Sequence, residues 1–353
     1  MATETTEQVL AESLRIQARA CEQLGSELYA VLMMRAAEDV EAHGPTWDVL
    51  RGHEADPPAS VPALRLMGAV NRLVLVGREP TLAQIYEGPT VDPSAAWEAL
   101  SAILSSNREE LRELIKLPVQ TNEVGRCAAL LFGFLAVAGE TRLPLRLLEV
   151  GASAGLNLHW DRYRYEADGF AWGPADSRVR VEFELDGEAP TLPAEVEIAE
   201  RRGCDAAPID PSGPEGRQTM LAYIWPDQKF RLERMRAALR LVEEVPIALD
   251  RETAVPWTER MLAEPTPGTA TVVYHSIVMQ YLGEEELAAF HRQIETASER
   301  ATADAPLAWL RMEPAGDHAD LHLTVWPGGE KRRLARAGYH GTPVELLPTA
   351  WHR

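Results

Sequence analysis

Apolar residues recur at helical spacing through roughly the first 140 positions and give way to strand-like runs after residue 143. Leu14, Ala18, Cys21 and Leu24, then Leu28, Val31, Leu32 and Ala36, each mark one face of an amphipathic helix. Leu64, Met67, Val70 and Leu73 mark another, and Trp97, Leu100, Ile103 and Leu104 a further one. Gly44-Pro45, Asp56-Pro57-Pro58 and Gly88-Pro89 punctuate them. Gln120-Thr121-Asn122 offers a cap for an apolar helix over 124–138. The run Ala128 to Gly139 is too short to span a bilayer and predicts a buried helix. Over 8–140 no strand and no internal repeat is legible.

Beyond Leu143-Pro144 the period changes. Leu145–Val150 is a short apolar run ending in glycine, the first predicted strand, and a short helix follows the glycine turn. An aromatic, polar stretch, HWDRYRYEADGFAWGP, covers 159–174. Val179, Val181, Phe183 and Leu185 alternate with polar residues as a strand requires. Val196-Glu-Ile198 leads into Gly203-Cys204-Asp205, an amphipathic helix covers about 228–244, and Pro246–Asp250 is a brief strand ending in an acid. Val255–Leu262 and Glu284–Ala297 read as helices, Thr269–His275 and Pro306–Met312 as strands. Leu321, Leu323 and Val325 alternate before Pro327-Gly328-Gly329, which predicts a terminal hairpin running back through Leu334.

Strand alternating with helix implies an α/β class, with a mostly parallel Rossmann-like sheet, helices on both faces and a closing antiparallel hairpin. An all-helical N-terminal region over 1–142 precedes it as a lid or cap. The α/β domain is expected over 143–353, with an inserted segment at about 159–195.

The 353 residues are 46% hydrophobic and 25% charged, the profile of a soluble globular protein. A net charge of −19 without a Lys/Arg block argues against nucleic acid and anionic membranes as partners. Cys21, Cys127 and Cys204 are far apart and odd in number, which predicts neither a disulfide framework nor a zinc site and fits a reducing cytoplasm. The first residues, MATETTEQV, show no signal peptide.

The chemistry turns on LLEVGASAGLNL, 147–158. Gly151-Ala-Ser153-Ala-Gly155 matches G-x-S-x-G, the nucleophile elbow of serine hydrolases, and Asp250 or Asp317 followed by His340 stand in workable order. In that fold, however, the elbow follows several strands, and here the upstream chain reads as helix. Glu149 would also oppose a developing oxyanion. A dinucleotide site fails on spacing, because Ser153 stands where a glycine is needed near the pyrophosphate, and Glu149 would repel a diphosphate. A cationic cofactor without phosphate fits the charges, since an acid at the end of the first strand attracts it. S-adenosylmethionine carries a sulfonium and an ammonium. A serine hydrolase and a non-catalytic binding or regulatory protein remain the alternatives.

The strand, Glu149-Val-Gly151, small residues, Gly155 and helix resemble the cofactor loop of class I S-adenosylmethionine-dependent methyltransferases. That resemblance implies a cofactor contacting Glu149, Gly151, Ser153, Gly155 and Asn157. Asp205 would be the ribose acid and Asp250 would sit at the adenine. Asp205 lies much further from the glycines than the usual ~20 residues, which the inserted segment would explain. VYHSIVMQYL, 273–282, resembles the fourth strand and the loop beneath the transferred methyl. It places His275 as a possible base, with Ser276, Gln280 and Tyr281 orienting the acceptor. Asn122, Glu123 and Arg126 are expected on one side of the helix before the first strand, where they would fix a polar substrate. Trp160 and Tyr163, within the aromatic cluster, would wall the acceptor or else form the private core of the insertion. His318-Ala-Asp320-Leu-His322 reads as the polar face of the hairpin, and no metal is expected.

PLRLLEVGASAGLNLHWDRYRY, QTNEVGR, RRGCDAAPIDP, AYIWPDQ, VYHSIVMQYL, WLRMEP and VWPGG together resemble a bacterial family of unknown function, DUF2332, over nearly the whole chain. The resemblance implies a methyltransferase-like fold and no particular reaction. The sequence departs from that family's pattern at Asn71, where histidine is expected, and at Met279, where tryptophan is.

Overall fold

The computed structural model describes residues 5–56, 60–88 and 90–348, so Pro57-Pro58 and Pro89 of the predicted breaks lie outside it. Two compact units emerge: Met1–Thr121 with Gly213–Glu233, and Asn122–Ser212 with Arg234–Arg353.

The first unit is helical, as its periodicity requires. α1 (Thr6–Gln23) starts on a capping box in which Thr5 and Gln8 satisfy each other's backbone N–H. α2 (Glu27–Glu41) is capped by Ser26, and Asp227 accepts the Ser26 hydroxyl at 2.8 Å. α3 (Pro45–Leu50), α4 (Pro62–Leu75), α5 (Pro80–Glu87) and α6 (Pro93–Ser106) each open on proline, whose missing N–H costs nothing there. α7 (Arg108–Leu114) follows. Leu14, Leu32, Leu66, Leu100 and Leu111 meet in one core with Trp225. Asn71 is buried and its amide donates to the Ala222 carbonyl at 3.0 Å.

The second unit begins earlier than the sequence implies. α8 (Cys127–Thr141), expected to close the helical region, belongs to the sheet unit, and the division falls at 121/122. The reason is its surface. Every residue from Cys127 to Val137 is buried, so the helix is apolar all round and needs a sheet face against it. It packs on the strands, and a Cβ on Gly133 would come within 2.2 Å of Leu310. Val124–Thr141 is long and apolar enough to cross a membrane, but 72% of it is buried inside the protein.

β1 (Leu145–Val150) is the first strand of a sheet in which β6 (Ile198–Asp205), β7 (Ala248–Arg251), β8 (Ala270–Ser276) and β9 (Leu307–Pro314) run parallel to it. Their spatial order is β7-β6-β1-β8-β9. The chain builds outward on one side of β1 and then crosses to the other, which makes the carboxyl ends of β1 and β8 the topological switch point. β10 (Ala319–Trp326) and β11 (Lys331–Ala337) form the predicted hairpin, antiparallel to β9, and β12 (Val344–Leu346) extends the meander. The short strand β5 (Leu185–Asp186) pairs with β12 and completes a nine-stranded sheet.

Between β1 and β6 lie a 3-10 turn over Leu156–Arg162 and a separate sheet of β2 (Arg164–Ala167), β3 (Phe170–Trp172) and β4 (Arg180–Glu182). This is the expected β-rich segment, and no α-helix occurs within it. From β6 the chain passes through α9 (Pro214–Ala222), which belongs to the helical unit, and α10 (Lys229–Glu244) before β7. α11 (Ala254–Met261) and α12 (Glu284–Ser298) cover the sheet face opposite α8, where Trp257, Phe290 and Ile294 pack on Leu148, Val273 and Trp309.

Candidate functional site

The switch point gathers Glu149, Gly151, Ser153, Gly155 and Asp205, all singled out from sequence. β1 ends in a turn with Gly151 at φ +70, Ser153 at φ +52 and Gly155 at φ +73, all left-handed. Glycine adopts that conformation freely, whereas a serine there is held against its preference. Asp205 holds it: one carboxylate oxygen accepts the Ser153 N–H at 2.9 Å and the other the Ala207 N–H at 2.8 Å. The Ile209 N–H donates to the Ser153 carbonyl at 3.0 Å. β6 lies beside β1 with Cys204 opposite Val150, so Asp205 does end the second strand despite its distance in sequence.

Glu149 is 2% exposed. Its one hydrogen bond comes from the Tyr274 hydroxyl at 3.2 Å. Burial pushes its carboxyl up to about 8, nearby Asp205 adds to the rise, and the Tyr274 hydroxyl and Arg126 oppose it. Arg126 forms no ion pair with Glu149. Its Nε donates to the Tyr339 carbonyl and a terminal nitrogen to the Ser276 carbonyl, both at 3.1 Å.

Asn122 and Glu123 stand on the loop before a 3-10 turn over Val124–Arg126, and not on the helix as expected. The Asn122 side chain accepts the Leu156 N–H at 2.7 Å and so anchors the far end of the glycine turn. Glu123 accepts from Gly125 N at 2.9 Å and from Arg234 at 2.8 Å, a buried ion pair. Asn157 is buried and accepts the Cys127 thiol at 3.3 Å. Asn122 and Glu123, expected at the substrate, and Asn157, expected at the cofactor, thus bond groups of the protein itself.

A model of one bacterial family matches residues 11–346. The chain belongs to DUF2332. That family is described as an uncharacterized protein conserved in bacteria. No curated protein and no solved structure matches the chain.

Several residues expected at the site of this DUF2332 chain are engaged elsewhere. His275 is fully buried, with Nδ1 2.5 Å from a Glu313 oxygen and Nε2 accepting the Trp309 indole N–H at 3.1 Å. Both ring nitrogens are occupied, so the imidazole has no lone pair for an acceptor's proton, and the base role does not fit this arrangement. Glu313 also accepts the N–H groups of Val278 and Met279 at 3.1 and 3.3 Å. This Trp309–His275–Glu313 chain fixes the loop after β8, where Ile277 has φ +56. Val278 then packs over the glycine turn: a Cβ on Gly151 would lie 2.6 Å from its methyl.

Asp250, expected at the adenine, is paired within the protein. It makes a two-pronged pair with Arg202 at 2.8 and 2.9 Å and accepts the Trp257 N–H at 2.7 Å. Ser276 is buried, whereas Gln280 and Tyr281 are exposed on a 3-10 turn over Met279–Tyr281. Trp160 and Tyr163 are fully buried, and Trp160 stacks on Phe134 at 4.5 Å and on Trp172 at 5.4 Å. The cluster is packing core, built from the inserted segment's own sheet together with Phe132 and Phe134 of α8. His318 and Asp320 pair with each other, and Arg333 pairs with Asp320, so the hairpin motif is a solvated ionic face. Tyr274, Glu313 and Arg234 had no local signal, since each acts through a strand or helix distant in sequence.

Proposed function

We propose that the switch point at the carboxyl ends of β1, β6 and β8 takes S-adenosylmethionine, and that the protein transfers its methyl group to a small polar acceptor. The observation that carries this reading is Glu149: an acid sealed into the end of the first strand, without a cationic partner among the described residues and with a single hydrogen bond. A buried carboxyl of this kind favours a positive ligand and disfavours phosphate. Asp205 keeps a second lone pair on each oxygen for hydroxyl donors. Gly151 and Gly155 let backbone approach a ligand. The fit is incomplete at the adenine end, where Asp250 is committed to Arg202 and Trp257.

When bound, the cofactor would supply an electrophilic methyl group. The chain's own contribution would be alignment. Asp205, Asn122 and Glu313 hold the loops that border the switch point, and effective molarity from such positioning is a recognised source of rate. All three cysteines are buried and unpaired, which supports a reducing, cytoplasmic setting. The net charge of −19 supports a small-molecule partner over nucleic acid.

Calorimetric titration of the full chain with S-adenosylmethionine and with S-adenosylhomocysteine, which lacks the sulfonium, tests the reading. Saturable binding is expected, weakened about tenfold or more by Glu149→Gln, a change of about 1.4 kcal/mol. No binding at millimolar cofactor would sink it. Tight binding without turnover on any acceptor would favour a regulatory protein on the same fold.

Ser153 keeps a second reading in play. Its left-handed φ of +52 in a strand-to-turn junction is the strain expected of a nucleophile elbow. Labelling by a fluorophosphonate, abolished in Ser153→Ala, would establish the hydrolase instead.

A further inference from the structure

On the sheet face that carries α12, away from the glycine turn, basic groups converge beside fewer acids: Glu313, Asp320 and Glu295. Cross-strand register sets Arg311 of β9 opposite His322 of β10, and Trp309 opposite Thr324, which in turn lies opposite Lys331 of β11. The Arg311 guanidinium lies over the Trp309 ring at 3.9 Å, and the His291 ring meets that indole edge-on at 5.1 Å. Among the described residues neither Arg311 nor Lys331 has an ion pair, and the Arg311 Nε is buried without any acceptor. The acid nearest along the strand, Glu313, is committed to His275 and the N–H groups of Val278 and Met279. Asp320 pairs with His318 and Arg333 at 3.4 and 3.3 Å, and its Oδ1 makes no hydrogen bond among the described residues.

In a chain of net charge −19, two uncompensated cations beside two imidazoles are unusual, and a half-buried guanidinium pinned on an indole is costly unless an anion comes to it. We infer that this face, built from Arg311, Lys331, His322 and His291 around Trp309, is a binding site for a small oxyanion: the phosphate or carboxylate group of a metabolite. A planar guanidinium fork pre-oriented by stacking suits two oxygens of one group, and Lys331 adds a mobile point charge at the open rim. The inference stands apart from the methyltransferase reading.

The imidazoles register the same field. His322 is held down to about 4 by burial, then by Lys331 and Arg311, with Arg333 adding and Asp320 opposing. His291 is lowered by burial, then by Arg311, His275 and Lys331, against Glu295. An oxyanion seated between these groups lifts both.

The test is calorimetric titration of the full chain with inorganic phosphate and, separately, with acetate, at ionic strength matched by chloride. Saturable phosphate binding is expected, weakened about tenfold or more in Arg311→Gln and measurably in the exposed Lys331→Gln. Binding of acetate as well assigns oxyanions in general, and phosphate alone narrows the ligand to a phosphoryl group. An upward shift of the His322 titration on adding phosphate, followed by NMR, locates the anion there. The proposal is overturned if neither anion gives saturable heat, or if both variants bind phosphate as the unaltered chain does. Lys331 is a surface residue, so its variant keeps the test usable if Arg311→Gln does not fold.

Discussion

Glu149 and Gly151 show how single residues near the switch point are governed by what surrounds them. A buried Glu149 with its carboxyl pushed up to about 8 is mostly neutral near pH 7. Its folded value lies above its ordinary one, so the stabilisation is complete below the ordinary carboxylate range. It is lost progressively as pH rises through about 8. Denaturant melts should therefore show the unaltered chain losing stability over that interval relative to Glu149→Gln; parallel curves would contradict the burial argument. A cationic ligand would draw the carboxylate form out, so S-adenosylmethionine binding near neutral pH should release a proton. Titrations in two buffers of different ionisation enthalpy read that release. Gly151 is constrained twice, by φ +70 and by Val278 at its α-carbon. Gly151→Ala should cost roughly 1–3 kcal/mol from backbone strain alone, measurable as a lowered midpoint in urea.

Among the elements, the loop after β8 depends on a carboxylate contributed by β9. Glu313 ties the Val278 and Met279 N–H groups and the buried His275 together. In Glu313→Ala those amides lose their acceptor, and hydrogen exchange at Val278 and Met279 should accelerate while Val272 and Val273 within β8 stay protected. Equal protection in both proteins would show that packing alone holds the loop. α8 makes the complementary point. It is long and apolar enough for a membrane yet mostly buried on the sheet, and its apolar surface drew it into the sheet unit.

For the whole molecule, the ion pairs set the pH limits. Asp250 joins β6, β7 and α11 through Arg202, Trp257 and Arg260, and these donors hold its carboxyl well below its ordinary value of 3.8. A depressed value means that this contribution is present above the ordinary range and disappears as pH falls below it. Asp250→Asn should flatten the acid side of the stability curve, and an unchanged acid midpoint would count against the cluster. Glu149 acts in the opposite direction on the alkaline side, so stability should peak between the two.

The sequence by itself determined the class of the long helices and of the five parallel strands, because helical and strand periodicities are local properties of the chain; β2, β3, β12 and α9 carried no such pattern. Leu145–Val150, Thr269–His275 and the Leu321–Leu334 hairpin were legible for that reason, and the turn at Gly151 and Gly155 from its glycines. Tertiary structure alone decided which polar side chains are spoken for. His275, Asp250 and Glu123 look like site residues in one dimension, but each is satisfied by Glu313, Arg202 or Arg234 from another element. Conversely, the run Lys331–Arg333 reads in sequence as solvated surface, and nothing in the spacing joins Lys331 to Arg311. Only the register of β9, β10 and β11 brings them together without an ion pair to either among the described residues, since pairing of charges depends on distances that sequence spacing does not record.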